Sequence, residues 1–543
     1  MNHTDRHRPP PDRKHVLAID LGSSTLKTAV VAATGEVLAS AEAPVETHLL
    51  PGGGAEQDPY EWWEAARRTT RLAVSRSGIA PDALAAVACD SQWSVVVPVD
   101  ARGEPLMRAV HWMDTRGGIY NRRVVRGFPC IAGYGLFNLL RWVRLTGLVP
   151  TLSGVDSLGH ALFIKHARPE VYAQTHAFLE PMDFITSRLT GRITATQKTM
   201  APFGLTDNRR WGAAAYSHEL LRRTGLDMAK FPPLIANDGI VGPLSSTVAK
   251  DLGLAPETPV VAGVSDSNAT LIGSGAVEDF ESIISLGTSL YLTCHVPFKK
   301  TDLAHFMTAL PSPLPHRYYL LGEQGAGGKC VDFFIDRMVY PKDAFQTGPR
   351  PKDAYRRFDS LAAEAPAGCG GVIFLPWLNG SIVPSEAPHV RGGFVNLSLN
   401  TERRHMARAV MEAMAFNNRW TRRPAEKFIG RPIPYFRLSG GGARSDLWCR
   451  IHADVLQAPI HQVADPVNAT VRGAALLALT ALGHMMPEEI PGRVGIKRVF
   501  EPDPAHGRLY DRMYRQYRRL FQRNKPIFTA LNAAARAQTE DSP

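Results

Sequence analysis

The chain lacks several features that mark other classes of protein. Its six cysteines include no CxxC pair, which argues against a structural zinc site and fits reduced, mostly buried thiols. No apolar stretch approaches the roughly 18 residues of a membrane span, and the longest candidate, residues 474–482, has a polar face. The first 14 residues are polar and have no apolar core like that of a signal peptide. We therefore expect a disordered N-terminal tail on a cytoplasmic protein that does not bind membranes.

The overall composition is that of a globular protein large enough for two domains. The chain has 543 residues, of which 44% are hydrophobic and 21% are charged. Its net charge of +11 would suit nucleic acid, but no zinc-finger or RNP pattern accompanies the charge. Much of the excess lies in a predicted amphipathic helix, residues 508–523. We expect a basic surface that suits small anionic substrates, and no nucleic-acid partner.

Two segments in different halves of the chain have nearly the same sequence. Each is predicted to be a strand, a glycine turn and a second strand, with the turns Leu21-Gly22-Ser23-Ser24 and Leu286-Gly287-Thr288-Ser289. Glycine lets the backbone approach an anion, and the hydroxyls can bond phosphate oxygens. An ordinary β-turn is the alternative for either copy alone. The repetition favours two similar halves that face one phosphate-bearing ligand.

The two turns differ in the residue before them. Asp20 precedes the first turn, whereas Ser285 precedes the second. A hard carboxylate at one of two phosphate turns is where Mg²⁺, held partly through water, is expected. Asp20 is therefore our candidate metal ligand.

Asp266 is the candidate general base. It follows an apolar strand, residues 259–263, and precedes a run of small residues that predicts a helix. A helix N-cap is the alternative explanation for an aspartate at this position. The residues around Asp266 do not decide between these two interpretations.

A polar interruption between two apolar strands is the candidate substrate region. It comprises residues 90–94 within the segment 85–100, and it includes Gln92, Trp93 and Ser94. Buried polar side chains need partners, which a hydroxylated ligand can supply, and Trp93 offers an apolar face to a sugar or polyol. A polar turn satisfied within the protein is equally compatible with this segment.

A triple glycine in the second half is the candidate nucleotide site. Strand residues beginning at Phe436 lead into Gly440, Gly441 and Gly442, and a helix follows. Bare backbone and a helix N-terminus can meet a nucleotide, although a tight turn is the alternative. A second glycine-rich loop, residues 322–328, is a weak signal alone.

Taken together, these segments resemble the FGGY family of carbohydrate kinases, within the actin-like and ribonuclease H-like ATPase group. The likeness runs from about Val16 to Phe528, and the ordered set of motifs is much more specific than any one of them. It implies an α/β fold of two actin-like or ribonuclease H-like domains with a central cleft. The implied division is a tail at residues 1–14, an N-terminal sugar-binding domain at 15–275, a C-terminal ATP-binding domain at 276–528 and a tail at 529–543.

The resemblance also implies roles for the motif residues. Asp266 would be the catalytic base, which sets aside the N-cap interpretation, and Asp20 would lie at Mg²⁺. The remaining sets would bind phosphate (Gly22, Ser23, Ser24, Gly287, Thr288, Ser289), adenosine (Gly441, Gly442, Ser445) and substrate (Gln92, Trp93, Ser94, Trp112, with Asp266). The implied reaction transfers the γ-phosphate of ATP to a hydroxyl of a small sugar or polyol.

Some positions depart from the family pattern. Trp93 and Ser94 match neither xylulokinase-like nor glycerol kinase-like members, Ser381 stands where a charged pair is usual, and Asn396 replaces a signature glycine. A xylulose-like pentulose is the predicted substrate. A polyol kinase and an inactive nucleotide-binding regulator are the alternatives, and a homodimer is left open.

Overall fold

The computed structural model describes residues 14–345 and 348–540, with side chains described as far as residue 532. The predicted N-terminal tail, except Lys14, lies outside these residues. Two large sheets dominate the fold, one in each half of the chain. Within the described residues no helix combines the length and the apolarity that crossing a bilayer requires.

The first sheet is built from buried, mostly apolar strands. The strand His15–Leu21 pairs in parallel with Leu84–Ser91 and antiparallel with Thr25–Ala32. The sequences of such strands are nearly continuous apolar runs because both faces of the sheet are covered. In spatial order the strands are Ile240–Pro243, Pro259–Val261, Leu84–Ser91, His15–Leu21, Thr25–Ala32 and Val37–Pro44, with Val264–Ser265 also paired to Leu84–Ser91.

The second sheet repeats the central order of the first. The strand Ser282–Leu286 pairs in parallel with Phe436–Ser439 and antiparallel with Ser289–Val296. In spatial order the strands are Thr301–Asp302, Met307–Pro311, Tyr318–Ala326, Ser289–Val296, Ser282–Leu286, Phe436–Ser439, Ile460–Val463 and Ile496–Phe500. Both sheets therefore contain a three-stranded antiparallel meander followed by two parallel strands. The chain therefore contains two similar α/β halves, as the repeated turns predicted.

Helices cover the faces of both sheets, and shorter elements join them. The α-helices are Pro59–Ser77, Gly118–Val125, Leu136–Leu145, Ser157–Ala167, Pro169–Gln174, Pro181–Thr190, His218–Thr224, Ser246–Leu252, Asp266–Gly273, Gly328–Phe334, Ala354–Ala363, Arg403–Ile429, Asp446–Leu456, Ala469–Ala481 and Pro504–Glu540. Small sheets are formed by His48–Leu50, Gly54–Gln57 and Ala109–Val110; by Val97–Val99 and Ala177–Leu179; by Cys130–Ile131 and Tyr134–Gly135; by Ala195–Thr196 and Leu234–Ile235; and by Ile373–Leu375 and Gly393–Val395. Short 3-10 helices are Pro51–Gly53, Pro81–Ala83, Ala201–Phe203, Met228–Lys230, Cys369–Gly371, Gly441–Arg444, Pro466–Asn468 and Pro487–Arg493, and Ile335–Val339 is a π-helix.

The last helix, Pro504–Glu540, contains the predicted amphipathic segment and extends beyond it. Tyr517 and Met513 on its apolar face are buried against the second half, as the helical spacing predicts. The domain end placed at residue 528 does not coincide with the end of the helix. The predicted tail from residue 529 therefore begins inside regular structure, because the alanine-rich segment that follows continues the helix.

The two halves meet where one helix from each crosses the other at very short range. Helix Asp266–Gly273 belongs to the first half and helix Ala469–Ala481 to the second. A Cβ added at Gly273 would lie 1.8 Å from the Ala469 carbonyl oxygen, and one at Gly473 would lie 1.8 Å from the Ala269 carbonyl oxygen. Both positions therefore require glycine. This crossing fixes the helix that begins at Asp266 directly against the second half.

Candidate active site

Three carboxylates meet at the ends of adjacent strands in the first sheet. Asp20 and Asp90 are register partners in neighbouring parallel strands. Ser265 pairs with Ser91 in the same sheet, and Asp266 is the next residue in the chain. Because the carboxyl ends of parallel strands lie at one edge, residues distant in sequence converge there. The sequence predicted a role for Asp20 and Asp266 but did not place Asp90 beside them.

Burial raises the pKa of all three carboxyl groups, and the charge of Asp20 adds to the shift of the other two. Burial raises the pKa of Asp20, which a 2.6 Å hydrogen bond from Thr470 Oγ1 opposes. Burial and the neighbouring Asp20 charge raise the pKa of Asp90 well above its usual range. Burial, together with the Asp20 charge, raises the pKa of Asp266 to about 7. A carboxyl group with such a pKa is able both to accept and to release a proton near neutral pH.

Asp266 is the first residue of its helix, and Ser265 occupies the N-cap position. The Asp266 side chain accepts a 2.6 Å hydrogen bond from the Ser267 N–H, and part of its surface remains exposed. The N-cap alternative from the sequence therefore does not describe this residue.

The first glycine turn is a tight hairpin beside Asp20. The Gly22 N–H donates to the Thr25 carbonyl oxygen at 3.0 Å. The Ser23 hydroxyl accepts a 3.0 Å hydrogen bond from Trp112 Nε1, whereas Ser24 is exposed. The structure thus brings together Asp20, the turn and one candidate substrate residue, Trp112.

The second glycine turn packs against the glycine-rich loops of its own half. The Gly328 N–H donates to the Gly287 carbonyl oxygen at 2.8 Å, and the Gly327 N–H donates to the Thr288 carbonyl oxygen at 3.0 Å. The Thr288 side chain is exposed, and Ser289 is half-buried. The weak loop signal at residues 322–328 therefore marks a segment that supports this turn.

The triple glycine also approaches the second turn. Gly440 has a φ of +83°, and a Cβ there would lie 2.8 Å from the Leu286 carbonyl carbon. Gly441 is exposed and has open space where a Cβ would lie, whereas Gly442 lies against the Trp448 ring. Ser445 caps helix Asp446–Leu456 by accepting from the Trp448 N–H at 3.0 Å, and its hydroxyl donates to Asp359. Its hydroxyl is therefore engaged within the protein.

The candidate substrate residues fall into two groups. Gln92 is 2% exposed and lies in a buried network, in which its amide donates to Gln57 Oε1 at 2.7 Å and its Oε1 is 3.0 Å from His111 Nε2. Burial lowers the pKa of His111 to about 3, so this ring is neutral. The Gln92 side chain is therefore hydrogen-bonded within the protein, which is the internally satisfied arrangement that the sequence left open, and its contact with substrate remains a prediction.

Trp93, Ser94 and Trp112 are only partly buried. The Trp93 ring lies 6.5 Å from the Tyr319 ring of the second half. Lys329 Nζ lies 5.7 Å from the centre of the Trp112 ring. These aromatic side chains line the region between the halves. The sequence assigned no role to Asp90, the first residue of the polar interruption, or to Lys329, which follows the glycine-rich loop.

Two family models together match most of the chain. The N-terminal domain model of the FGGY family of carbohydrate kinases matches residues 15–273, and the C-terminal domain model matches residues 283–482. The chain belongs to the FGGY family of carbohydrate kinases. As a family member it is an ATP-dependent sugar kinase, and the fold class expected from the motifs is confirmed.

Individual relatives of this FGGY kinase have different substrates in their names. It is 25% identical to a xylulose kinase of Staphylococcus epidermidis over 94% of this chain and 97% of the relative. It is 29% identical to a glycerol kinase of Alkalilimnicola ehrlichii over 86% of this chain and 90% of the relative. The crystal structure of gluconate kinase from Lactobacillus acidophilus matches with a TM-score of 0.80 at 23% identity, over 95% of this chain and 99% of that one.

One departure of this FGGY kinase from the family pattern has a structural explanation. Asn396, which replaces a signature glycine, has a φ of +68°. Asparagine tolerates this left-handed region better than most residues, and its side-chain amide donates to the Gly371 carbonyl oxygen at 3.1 Å. The replacement therefore keeps a glycine-like backbone. Ser381 is buried in a bridge to Ala387, with its N–H donating to the Ala387 carbonyl oxygen at 3.1 Å.

Proposed function

We propose that this kinase transfers the γ-phosphate of ATP to a hydroxyl of a ketose, with a xylulose-like pentulose as substrate. The observation that carries the proposal is the position of Asp266. It is a partly exposed carboxyl group with a pKa raised to about 7, at the head of the helix that joins the two halves. It therefore stands next to both the first glycine turn and the region between the halves.

The proposed reaction assigns one proton transfer to the protein. Asp266 accepts the proton of the attacking substrate hydroxyl, and the oxygen of that hydroxyl forms a bond to the γ-phosphorus. The bond from the γ-phosphorus to the bridging oxygen breaks, and ADP leaves with that electron pair. Transfer of this kind depends mainly on positioning and on neutralising charge, which the glycine turns and a divalent cation would supply.

The residues around Asp20 fit a divalent cation. The Asp20 carboxyl group accepts from Thr470 through Oδ2, lies beside Asp90 and is partly exposed, so it can offer a hard oxygen ligand. Bound Mg²⁺ would supply charge neutralisation to the phosphates there. We propose that Gly22, Ser23, Ser24, Gly287, Thr288 and Ser289 hold the phosphates and that the backbone at Gly441 and Gly442 borders adenosine, next to the helix that Ser445 caps.

The region between the halves suits a small polyhydroxylated molecule. Trp93 and Trp112 offer aromatic faces, and Lys329 and Asp266 offer polar groups. A relative named xylulose kinase that covers 94% of the chain supports the pentulose assignment. The 29% identity to a glycerol kinase supports a polyol as the second candidate.

A substrate panel tests this proposal. The full chain would be incubated with Mg-ATP and xylulose, ribulose, glycerol, erythritol or gluconate, and ADP release would be followed. Asp266→Asn serves as the matched blank, because it keeps the shape of the side chain but removes the base. We expect pentulose-dependent ADP release that the variant lacks. Turnover with glycerol or erythritol alone would establish the polyol candidate, and wild-type ATP binding without any turnover would contradict the kinase assignment for these substrates.

A further inference from the structure

Asp90 is a buried carboxylate that the proposed reaction does not yet use. Its side chain is fully buried, and neither oxygen has a hydrogen-bond donor within the described residues other than the Asp20 carboxyl group, with which it can share a proton. Burial of such a group without partners is unfavourable, so unpaired buried carboxylates in folded proteins require an explanation.

The strand register fixes where Asp90 points. Side chains of paired residues in adjacent parallel strands project to the same side of the sheet, about 4.8 Å apart. Asp90 is the register partner of Asp20, so their carboxylates lie side by side. The nearby Lys27 does not offset this charge by direct pairing, because its Nζ contacts Glu42 and two acceptors of the second half, the Val467 carbonyl oxygen and Asn468 Oδ1.

The second sheet shows that the backbone does not require an acid at this position. Its corresponding strands, Ser282–Leu286 and Phe436–Ser439, have the register pair Ser285 and Ser439. The same pairing of strands before a glycine turn is therefore compatible with two small neutral side chains. The paired carboxylates of the first sheet need a reason that lies outside the backbone.

We propose that Asp90 is a second carboxylate ligand, beside Asp20, for the divalent cation of this kinase. The inference rests on the proposed function for the cation's place at Asp20. Mg²⁺ and Mn²⁺ are hard cations that prefer oxygen ligands, and two carboxylates match the charge of one such ion. Mg²⁺ is usually bound through one or two carboxylates together with substrate phosphates, so a second carboxylate should strengthen cation binding in the absence of nucleotide.

A different role for Asp90 makes a different prediction. If Asp90 only donates a proton to Asp20 and holds its side chain in place, then asparagine can donate through Nδ2 in nearly the same geometry. A cation ligand cannot be replaced in this way, because asparagine lacks the negative charge. Asp90→Asn therefore separates ligation from positioning.

The test is a titration of the full chain with Mn²⁺, without nucleotide or sugar. The concentration of free Mn²⁺ is measured by electron paramagnetic resonance. We expect Asp90→Asn to weaken Mn²⁺ binding about tenfold or more. Asp90→Ser, which copies the pair in the second sheet, is expected to do the same and serves if the asparagine variant does not fold. Mn²⁺ affinity within twofold of wild type in a folded variant would overturn the proposal.

Asp183→Asn is the matched control. Asp183 is also a buried carboxyl group of the first half, with a pKa raised by burial to about 7, but the groups that interact with it are Thr199 and Lys198 rather than Asp20 or Asp90. Its replacement is expected to leave Mn²⁺ affinity unchanged, and an equal loss in both variants would contradict a specific role for Asp90. Since no sugar or ATP is present, a failed substrate panel together with a specific Asp90 effect would count against the pentulose assignment and still support this metal site.

Discussion

The two glycine turns share a backbone plan but differ in charge. In the first sheet the residues that precede the turn and stand beside it in the next strand are Asp20 and Asp90. In the second sheet the corresponding register pair is Ser285 and Ser439. The strand order around both pairs is the same. One duplicated unit thus carries two carboxylates in one copy and two hydroxyls in the other.

This contrast indicates how two copies of one structural unit can bind a phosphorylated ligand in different ways. Carboxylates attract a cation and would repel bare phosphate, whereas hydroxyls and backbone N–H groups can bond phosphate oxygens directly. We infer that the first turn acts on phosphate together with a cation, and that the second turn acts through hydrogen bonds alone. Substitutions that change one turn at a time separate these two roles.

Removal of the base is expected to have the largest effect. Asp266→Asn keeps the packing of its helix but cannot accept the proton of the sugar hydroxyl, so kcat should fall about 10³-fold. ATP affinity, measured by calorimetry, should stay within about threefold. A variant that retains more than a tenth of wild-type kcat would contradict the role of Asp266.

Replacement of Asp20 by serine, the residue at the corresponding position of the second sheet, is expected to have the next largest effect on activity. Asp20→Ser removes a carboxylate, and kcat/KM at fixed Mg²⁺ should fall about 10²-fold. Ser285→Ala at the corresponding position of the second sheet removes no charge and should change kcat/KM less than about threefold. Equal losses in the two variants would show that the charge difference between the turns has no functional meaning.

The helix crossing that joins the two halves offers a test of stability. Gly273→Ala would place a Cβ 1.8 Å from the Ala469 carbonyl oxygen, so the helices must separate. We expect a loss of about 1–3 kcal/mol in the free energy of unfolding, measured by urea denaturation. Gly492→Ala is the control, because nothing lies within 4 Å of its added Cβ. An unchanged midpoint for Gly273→Ala would contradict this close packing of the helices.

Activity is expected to change gradually with pH, without a change in the sequence. Asp266 must be ionised to accept a proton, and its pKa is raised to about 7. Below that pH, kcat/KM should therefore fall about tenfold per unit. The ionised form is disfavoured in the folded state, so this group lowers stability as pH rises through about 7. Asp266→Asn should remove that part of the pH dependence of the melting temperature.

Local sequence patterns were enough to predict the two hairpins and the helix that begins at Asp266. Glycine turns between apolar strands are short-range signals, and both appear where they were expected. The role of Asp90 was not predictable in this way. Its position beside Asp20 depends on the register between two strands that are far apart in the chain. A polar residue after an apolar run does not indicate which residue lies opposite it in the next strand.

The candidate pocket shows a similar limit. Gln92 was predicted to contact substrate, and that remains a prediction, but its amide is bonded to Gln57 and its side chain is buried. Lys329 of the second half lies over the ring of Trp112 of the first half. In the sequence, Lys329 only follows a glycine-rich loop, which is a weak signal for any function. Contacts between domains arise from tertiary packing, which motifs within one segment cannot encode.

The most direct test of the contrast between the turns is the position of a bound cation. Crystals of the full chain with Mn²⁺ and a non-hydrolysable ATP analogue would be measured at the manganese absorption edge. We expect an anomalous peak beside Asp20 and Asp90, with the phosphates reaching the hydroxyls of the second turn. A peak beside Ser285 and Ser439, or a peak remote from both turns, would contradict the assignment of the cation to the first turn.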